Sequence, residues 1–200
     1  MNIRNIYGKA NRNVTSLHGT AEMDDSELIA CAQQGDRQAF TELVCRHQNG
    51  VVGLIYRMCG DPQQAEDAAQ EAFVRVWQNL NSYKPQHAFR NWLYRIAANT
   101  ALDSLRRERP SAELDSLPLA DSSPGPEQAA EENQRAAQIR RAIARLSEPL
   151  RIVLILREYQ EFSYQEISEA LDIPTGTVMS RLNAARSQLR QELVVLMEEA

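Results

Sequence analysis

Between Ser163 and Arg190 the residue types and their spacing suit contact with a DNA duplex. Ser163-Tyr164-Gln165-Glu166 is a Ser-x-x-Glu capping box, in which each end satisfies a free backbone N–H of the other. The short helix that follows uses Ile167, Ala170 and Leu171. Asp172-Ile173-Pro174 then turns the chain, because proline disfavours helical backbone in the residue before it. Thr175 is placed to cap a longer helix, where Val178, Leu182, Ala185, Leu189, Leu193 and Leu196 recur at a helical period. Together these make a helix-turn-helix, whose second helix enters the major groove by its first turns. Thr175, Gly176, Thr177 and Ser180 are small enough for close approach, and N–H groups at that helix start favour phosphate. Met179, Ser180, Asn183 and Arg186 then face base edges, while Arg181 and Arg190 suit the phosphate backbone. A plain helical hairpin with a solvated face is the bland reading; cap, turn and second cap at this separation weigh against it.

A net charge of −5 has the wrong sign for such a partner until it is divided along the chain. Residues 88–109 carry five arginines against Asp103 and Glu108, and Pro174 to Gln191 carries Arg181, Arg186 and Arg190 with no acid, so each stretch is +3. Residues 110–135 carry six acids against Arg135, giving −5. Attraction to phosphate depends on where charge lies more than on the total.

The elements that must hold these residues are all helical in period, with no alternating strand pattern. Asp24 or Asp25 caps a first helix ending near Gly35, and Asp36 caps a second carrying Phe40, Leu43, Val44, Val51, Ile55 and Met58 to Gly60. Asp61-Pro62 opens a third, with Ala65, Ala69, Ala72, Phe73, Val76 and Leu80 on one face. A fourth starts near Phe89 with the stripe Phe89, Trp92, Leu93, Ile96, Ala97 and Leu105. Between Pro110 and Pro126 lie four of the eight prolines, four serines and several acids, too polar to offset ordering entropy. Beyond it come a helix through Ile139, Ala142, Ile143 and Leu146 and another with Leu150, Val153 and Leu154. The expected fold is therefore all-α, two small helical domains joined by a flexible acidic Pro/Ser-rich linker, the second containing the helix-turn-helix. The expected boundaries are a disordered extension over 1–24, a first domain over 25–109, a linker over 110–130 and a second domain over 131–200.

The helix-turn-helix alone does not separate an activator, a repressor and a polymerase subunit. The first domain does. DPQQAEDAAQEAFVRVW from Asp61 to Trp77 and AFRNWLYRIAANTALDSLRR from Ala88 to Arg107 resemble the extracytoplasmic-function sigma factors of bacterial RNA polymerase. EISEALDIPTGTV from Glu166 to Val178 and ARSQLR from Ala185 to Arg190 agree. The resemblance spans about residues 25–192, with both domains in order. It implies that the first domain docks on the clamp of core RNA polymerase and melts the −10 promoter element, and that the second reads the −35 element. On the family pattern the docking helix matches Glu66, Asp67, Gln70, Glu71, Phe73 and Trp77. The four polar residues among them also lie on the outer side of an amphipathic helix, an acidic face suited to a basic partner.

The fourth helix matches the −10 segment. Its polar side presents Asn91, Arg95, Asn99 and Arg106 about a turn apart, spacing that suits a phosphate backbone. Melted bases need an aromatic or polar pocket, for which Tyr83, Phe89, Trp92 and Asn99 are candidates. Phe89 and Trp92 also lie on the apolar stripe and suit the core, and Arg106, Arg107 and Arg109 suit a helix C-terminus. The family often has a basic residue at Met179 and an arginine at Ala184, so the −35 sequence stays unnamed. The family threads the acidic connector towards the polymerase active-site channel; a plain solubilising linker reads equally well. The family also implies an anti-sigma factor in a stress or envelope response, clamping the two domains together and burying both DNA faces.

Other classes fit less well. A stand-alone regulator dimerising to match two half-sites is the alternative, with Leu193 to Met197 as a dimer contact. A protein-only adaptor leaves Arg181, Arg186 and Arg190 without a purpose. His18, His47 and His87 stand apart without a nucleophile or carboxylate pattern, and no Gly-rich phosphate loop exists, so no enzyme, cofactor or small-molecule substrate is expected. Cys31, Cys45 and Cys59 form no Cys-x-x-Cys pair and no metal site, and read as reduced, mostly buried thiols. No apolar run reaches the roughly 20 residues that cross a bilayer, and the first residues lack a signal peptide's apolar block, which places the protein in the cytoplasm.

Overall fold

The computed structural model describes residues 23–86, 88–108 and 137–198. Nearly all of the expected N-terminal extension, and all of the linker over 110–130, lie outside the described residues. Every regular element within them is helical, as the periodicity led us to expect. The helices are α1 (Asp25–Gln33), α2 (Arg37–Cys59), α3 (Pro62–Asn79), α4 (Phe89–Glu108), α5 (residues 137–145), α6 (Glu148–Glu158), α7 (Tyr164–Leu171) and α8 (Thr175–Glu198), with a 3-10 turn over Leu80–Ser82.

Local chemistry sets most of the boundaries. The Asp24 carboxylate accepts from the Glu27 N–H while the Glu27 carboxylate accepts from the Asp24 N–H, both at 2.9 Å. Asp36 takes the N–H groups of Gln38 and Ala39, and Asp61 takes that of Gln64 ahead of Pro62. Caps of this kind contribute about 0.5–2 kcal/mol each. Gly60 ends α2 at φ 82°, a left-handed conformation that glycine adopts without steric cost. One boundary differs by a residue: Thr175 lies inside α8, whose first N–H groups, from Thr177 and Val178, donate to the Pro174 carbonyl. Proline keeps its carbonyl although it has no N–H, so it can serve there.

Packing follows residue size. On α3, Ala65, Ala68, Ala69 and Ala72 are buried, and on α4 Ala97, Ala98 and Ala101, so α2, α3 and α4 approach closely. The side chain of Gln33 on α1 donates to the carbonyls of Leu80 and Tyr83, tying α1 to the loop before α4. In α6 six successive residues, Arg151 to Leu156, are all buried. A helix covered all round lies between other elements. Here these are α8 and α7 on its own side and α2 from the first half.

The two halves share burial as well as chain. One apolar cluster runs from Leu28 on α1 to Leu182 on α8. Across it the Tyr94 hydroxyl donates to Oε1 of Gln160 at 2.7 Å, and Nε2 of Gln160 donates to the Gly50 carbonyl at 3.3 Å. Phe162 is fully buried against the Tyr94 ring, 5.1 Å between centroids, and beneath the Arg90 guanidinium. The Arg151 guanidinium donates to the Met58 carbonyl at 2.5 Å and to those of Ala144 and Leu146, stapling α6 to the end of α2.

Tyr94 can reach this position because residue 50 has no side chain: a Cβ there would lie 2.0 Å from the Tyr94 hydroxyl oxygen. Gly50→Ala is therefore expected to destabilise the chain. Overpacking of this kind costs about 1–3 kcal/mol, against roughly 1 kcal/mol gained in helix propensity. Thermal unfolding followed by circular dichroism should give a midpoint a few degrees lower; a raised midpoint would mean that Tyr94 does not pack on Gly50.

Candidate functional site

The outer face of α3 is polar and exposed at Glu66 and Asp67 and half-buried at Gln70 and Glu71. Glu71 is not a loose charge. Its carboxylate accepts from Arg107 at 2.8 Å and from Arg75 at 2.6 Å, and Arg75 also reaches Asp103 at 3.0 Å. The Arg107 hydrogen bond, helped by Arg75, holds the Glu71 carboxyl below its ordinary range. Two of the expected docking residues turn inward. Phe73 is 3% exposed and packs in the core, since it falls on the alanine face of α3, and Trp77 is half-buried against Phe40 at 4.8 Å. Val74, which sequence reasoning passed over, stands 42% exposed beside Gln70 and Glu71. Its position three residues after Glu71 was the available signal.

At the start of α4 an aromatic wall forms. Tyr83 meets Phe89 at 5.6 Å and Trp92 at 5.2 Å, and Phe89 meets Trp92 at 5.8 Å. Phe89 is buried, Trp92 is half-buried, and burial raises the Tyr83 phenol above its ordinary pKa. The wall borders a cavity of about 230 Å³ that is also lined by Lys84, Asn91, Arg95 and Glu169. The loop supplying Lys84, and the glutamate from α7, were not among the sequence candidates; only the fold brings them here.

Asn91 corrects the expectation of a solvent-facing polar stripe. It is 3% exposed, because α7 covers it, and its Nδ2 donates to Oε2 of Glu169 at 2.9 Å. Arg95 lies further out and pairs with Asp172 at 2.9 Å. Asn99 and Arg106 are exposed further along α4. The structure thus gathers Tyr83, Asn91, Trp92 and Arg95 around one recess, buries Phe89 against the first and third of them, and leaves Asn99 and Arg106 outside it.

The helix-turn-helix forms α7 and α8. The Ser163 hydroxyl accepts from the Glu166 N–H at 3.2 Å and the Glu166 carboxylate accepts from the Ser163 N–H at 2.8 Å. That backbone bond, with the hydroxyl, lowers the Glu166 carboxyl pKa. Asp172 closes α7 at φ 55°, and the Ser168 hydroxyl donates to the Ile173 carbonyl at 2.6 Å, fixing the turn. On α8, Val178, Leu182 and Ala185 face inward. Gly176, Met179, Ser180, Asn183, Arg186 and Arg190 face outward, with Thr175, Thr177 and Arg181 half-buried at the margin. Met179 is 49% exposed. Arg186 pairs with Glu158 at 2.7 Å, a bond that raises its already high pKa. The cysteines differ from expectation: Cys59 is buried, but Cys31 is half-buried and Cys45 is exposed, since it falls on the outer side of α2. Among the described residues no group of His, Cys, Asp and Glu could hold a metal ion, and no helix is long and apolar enough to cross a membrane.

Comparison with known proteins adds a separate line of evidence. The family model for Sigma-70 region 2 matches residues 43–110, and that for Sigma-70, region 4 matches residues 136–189. The chain is 37% identical over 187 residues to the RNA polymerase sigma-H factor of Pseudomonas aeruginosa, covering 88% of this chain and 97% of that protein. It is 35% identical over 184 residues to the ECF RNA polymerase sigma factor SigW of Bacillus subtilis, covering 86% and 98%. Among solved structures it is similar to CnrH in complex with the cytosolic domain of CnrY, with a TM-score of 0.67, 26% identity, and 86% and 97% of the two chains covered.

The pairing of Glu71 sets a measurable acid response. A carboxyl whose folded pKa is depressed stabilises the fold above its ordinary range and loses that contribution as pH falls through the folded value. The group is about a third exposed, so the contribution is under ~1 kcal/mol. Glu71→Gln should melt slightly below the parent chain at neutral pH, and the gap should close on acidification. A gap of constant size at both pH values would place its cause elsewhere.

Proposed function

Because this chain belongs to the extracytoplasmic-function sigma factors of bacterial RNA polymerase, whose work is promoter-specific initiation, we propose how its surfaces divide that work. The outer face of α3, through Glu66, Asp67, Gln70 and Glu71 with Val74 added, docks on core polymerase. The recess at the start of α4 receives the opened −10 strand. The outward side of α8 reads the −35 element, with Met179, Ser180, Asn183 and Arg186 at base edges and Arg181 and Arg190 at phosphates. The polymerase supplies the chemistry, and the chain itself needs no catalytic residue, cofactor or small-molecule substrate. On this reading it works in the cytoplasm beside the polymerase.

The observation that carries the proposal is the recess itself. An unstacked base needs an aromatic face, and Trp92 and Tyr83 offer two. It needs hydrogen-bonding groups for its edge, which Asn91 offers, and cations for the flanking phosphates, which Arg95 and Lys84 offer.

Distance then constrains the mechanism. Elements centred at −10 and −35 lie about 25 base pairs apart, on the order of 85 Å along B-form DNA. Here the turn of the helix-turn-helix touches the −10 helix through Arg95 and Asp172 at 2.9 Å. The halves must separate before both elements are read together. Residues 109–136, fully extended, span at most roughly 90–100 Å, which is enough. We also read control by an anti-sigma factor into the chain. CnrH, to which it is similar, occurs in complex with the cytosolic domain of CnrY, and a sigma factor of the same fold, RpoE of Bartonella quintana, occurs in complex with the anti-sigma factor NepR.

Reconstitution with core polymerase, followed by mapping of transcription starts on genomic DNA, should give starts downstream of a shared pair of elements; no gain over core enzyme alone would remove the proposal. Within it, Trp92→Ala should weaken binding of the −10 strand by about 1–3 kcal/mol per stacked base. Arg190→Ala should instead lower the salt dependence of promoter binding by about one counterion without changing sequence preference.

A further inference from the structure

We propose that Glu169 and Asp172, on α7 and at its end, are built-in competitors for the −10 strand, so that the chain occupies its own promoter surface until the strand displaces them. This rests on the assignment of the α4 recess to the −10 element. The groups that would hold the strand are already engaged in the free chain, and by carboxylates. Asn91 donates its amide to Glu169, and Arg95 pairs with Asp172, each at 2.9 Å. A carboxylate presents anionic oxygens to a guanidinium as a phosphate does, so either can fill the site and not both.

The fit of the occupant is incomplete in a way that favours exchange. Asn91 uses only half of its amide: its Oδ1 is buried and has no hydrogen-bond partner. A carboxylate has no proton to give it. A base edge with a donor beside an acceptor, such as that of adenine, satisfies both ends of an asparagine amide. Glu169 therefore holds the Asn91 wall of the recess without matching it as a base edge would.

The seam also has a graded exposure. Its deep part, Tyr94, Gln160 and Phe162, is buried, with Arg90 lying over the two rings and, among the described residues, no carboxylate to pair with it. Its edge is ionic and open to solvent, with the Arg95 side chain 47% and that of Asp172 76% exposed. An incoming strand meets the edge first, where pairs are weakest and most easily replaced.

The test uses the full chain without polymerase and a fluorescently labelled single-stranded oligonucleotide carrying the −10 element found by start mapping. Glu169→Ala with Asp172→Asn removes both competitors and leaves Tyr83, Asn91, Trp92 and Arg95 in place. Asparagine is well tolerated in the left-handed conformation of residue 172, so Asp172→Asn alone serves as a variant sure to fold and should show part of the effect. The double variant should bind the oligonucleotide about three- to tenfold more tightly than the parent, as expected when competing anions leave the site while the Phe162 seam stays intact. Equal affinities overturn the proposal. Initiation by the parent chain with core polymerase is read separately: its failure removes the underlying assignment, whereas initiation with equal oligonucleotide affinities removes the competitors alone.

Discussion

Phe162 is the residue on which the arrangement of the two halves depends. It belongs to the short loop between α6 and α7, yet it is fully buried, and its partners, Tyr94 and Arg90, come from the first half. A buried phenylalanine contributes a few kcal/mol of apolar transfer only while those partners stay in place. Gln160, two residues earlier, then has to satisfy its amide inside the same seam, and does so with Tyr94 on one side and the Gly50 carbonyl on the other. Burial raises the Tyr94 phenol above its ordinary pKa, so that hydroxyl stays a donor across the physiological range.

From that seam the placement of the groups around the α4 recess follows. Once Phe162 is seated, α7 lies across α4, Glu169 meets Asn91 and Asp172 meets Arg95. Separation of the halves exposes Phe162 and breaks the Arg151 bonds to Met58, so it carries a real cost. Binding to polymerase and to two promoter elements must supply it. Coupling of this kind makes the open form conditional on its partners, which is the thermodynamic content of a population shift.

Most of the fold was legible locally. Asp24, Asp36, Asp61 and Ser163 were recognisable as caps because a side chain and an N–H two or three residues away decide the matter between them. The apolar periods likewise placed Phe89 inside and Met179 outside. What local reading missed was decided by elements distant in sequence. Asn91 looks solvent-facing on an isolated helix and is buried because a helix some 80 positions later covers it. Glu71 looks like a free docking charge and is held by Arg107 from α4. Phe73 matches the family's docking pattern, yet its own place on the alanine face of α3 assigns it to the core. Polar residues carry no periodic signal that tells a solvated face from one awaiting a distant partner.

The charge balance acquires a physical meaning in this light. An acidic chain that must bind DNA holds several of its arginines against its own carboxylates: Arg95 with Asp172, Arg186 with Glu158, and Arg107 with Glu71. Each such arginine, on meeting a phosphate, exchanges one anion for another, so the net electrostatic gain is smaller than for an unpaired cation. Non-specific binding, which rests almost entirely on that gain, is weakened most. On the proposed assignment specific binding loses less, because stacking on Trp92 and base-edge contacts from Met179, Ser180 and Asn183 do not depend on displaced charge. On that assignment the internal pairs tilt the chain towards sites where the neutral contacts can also form.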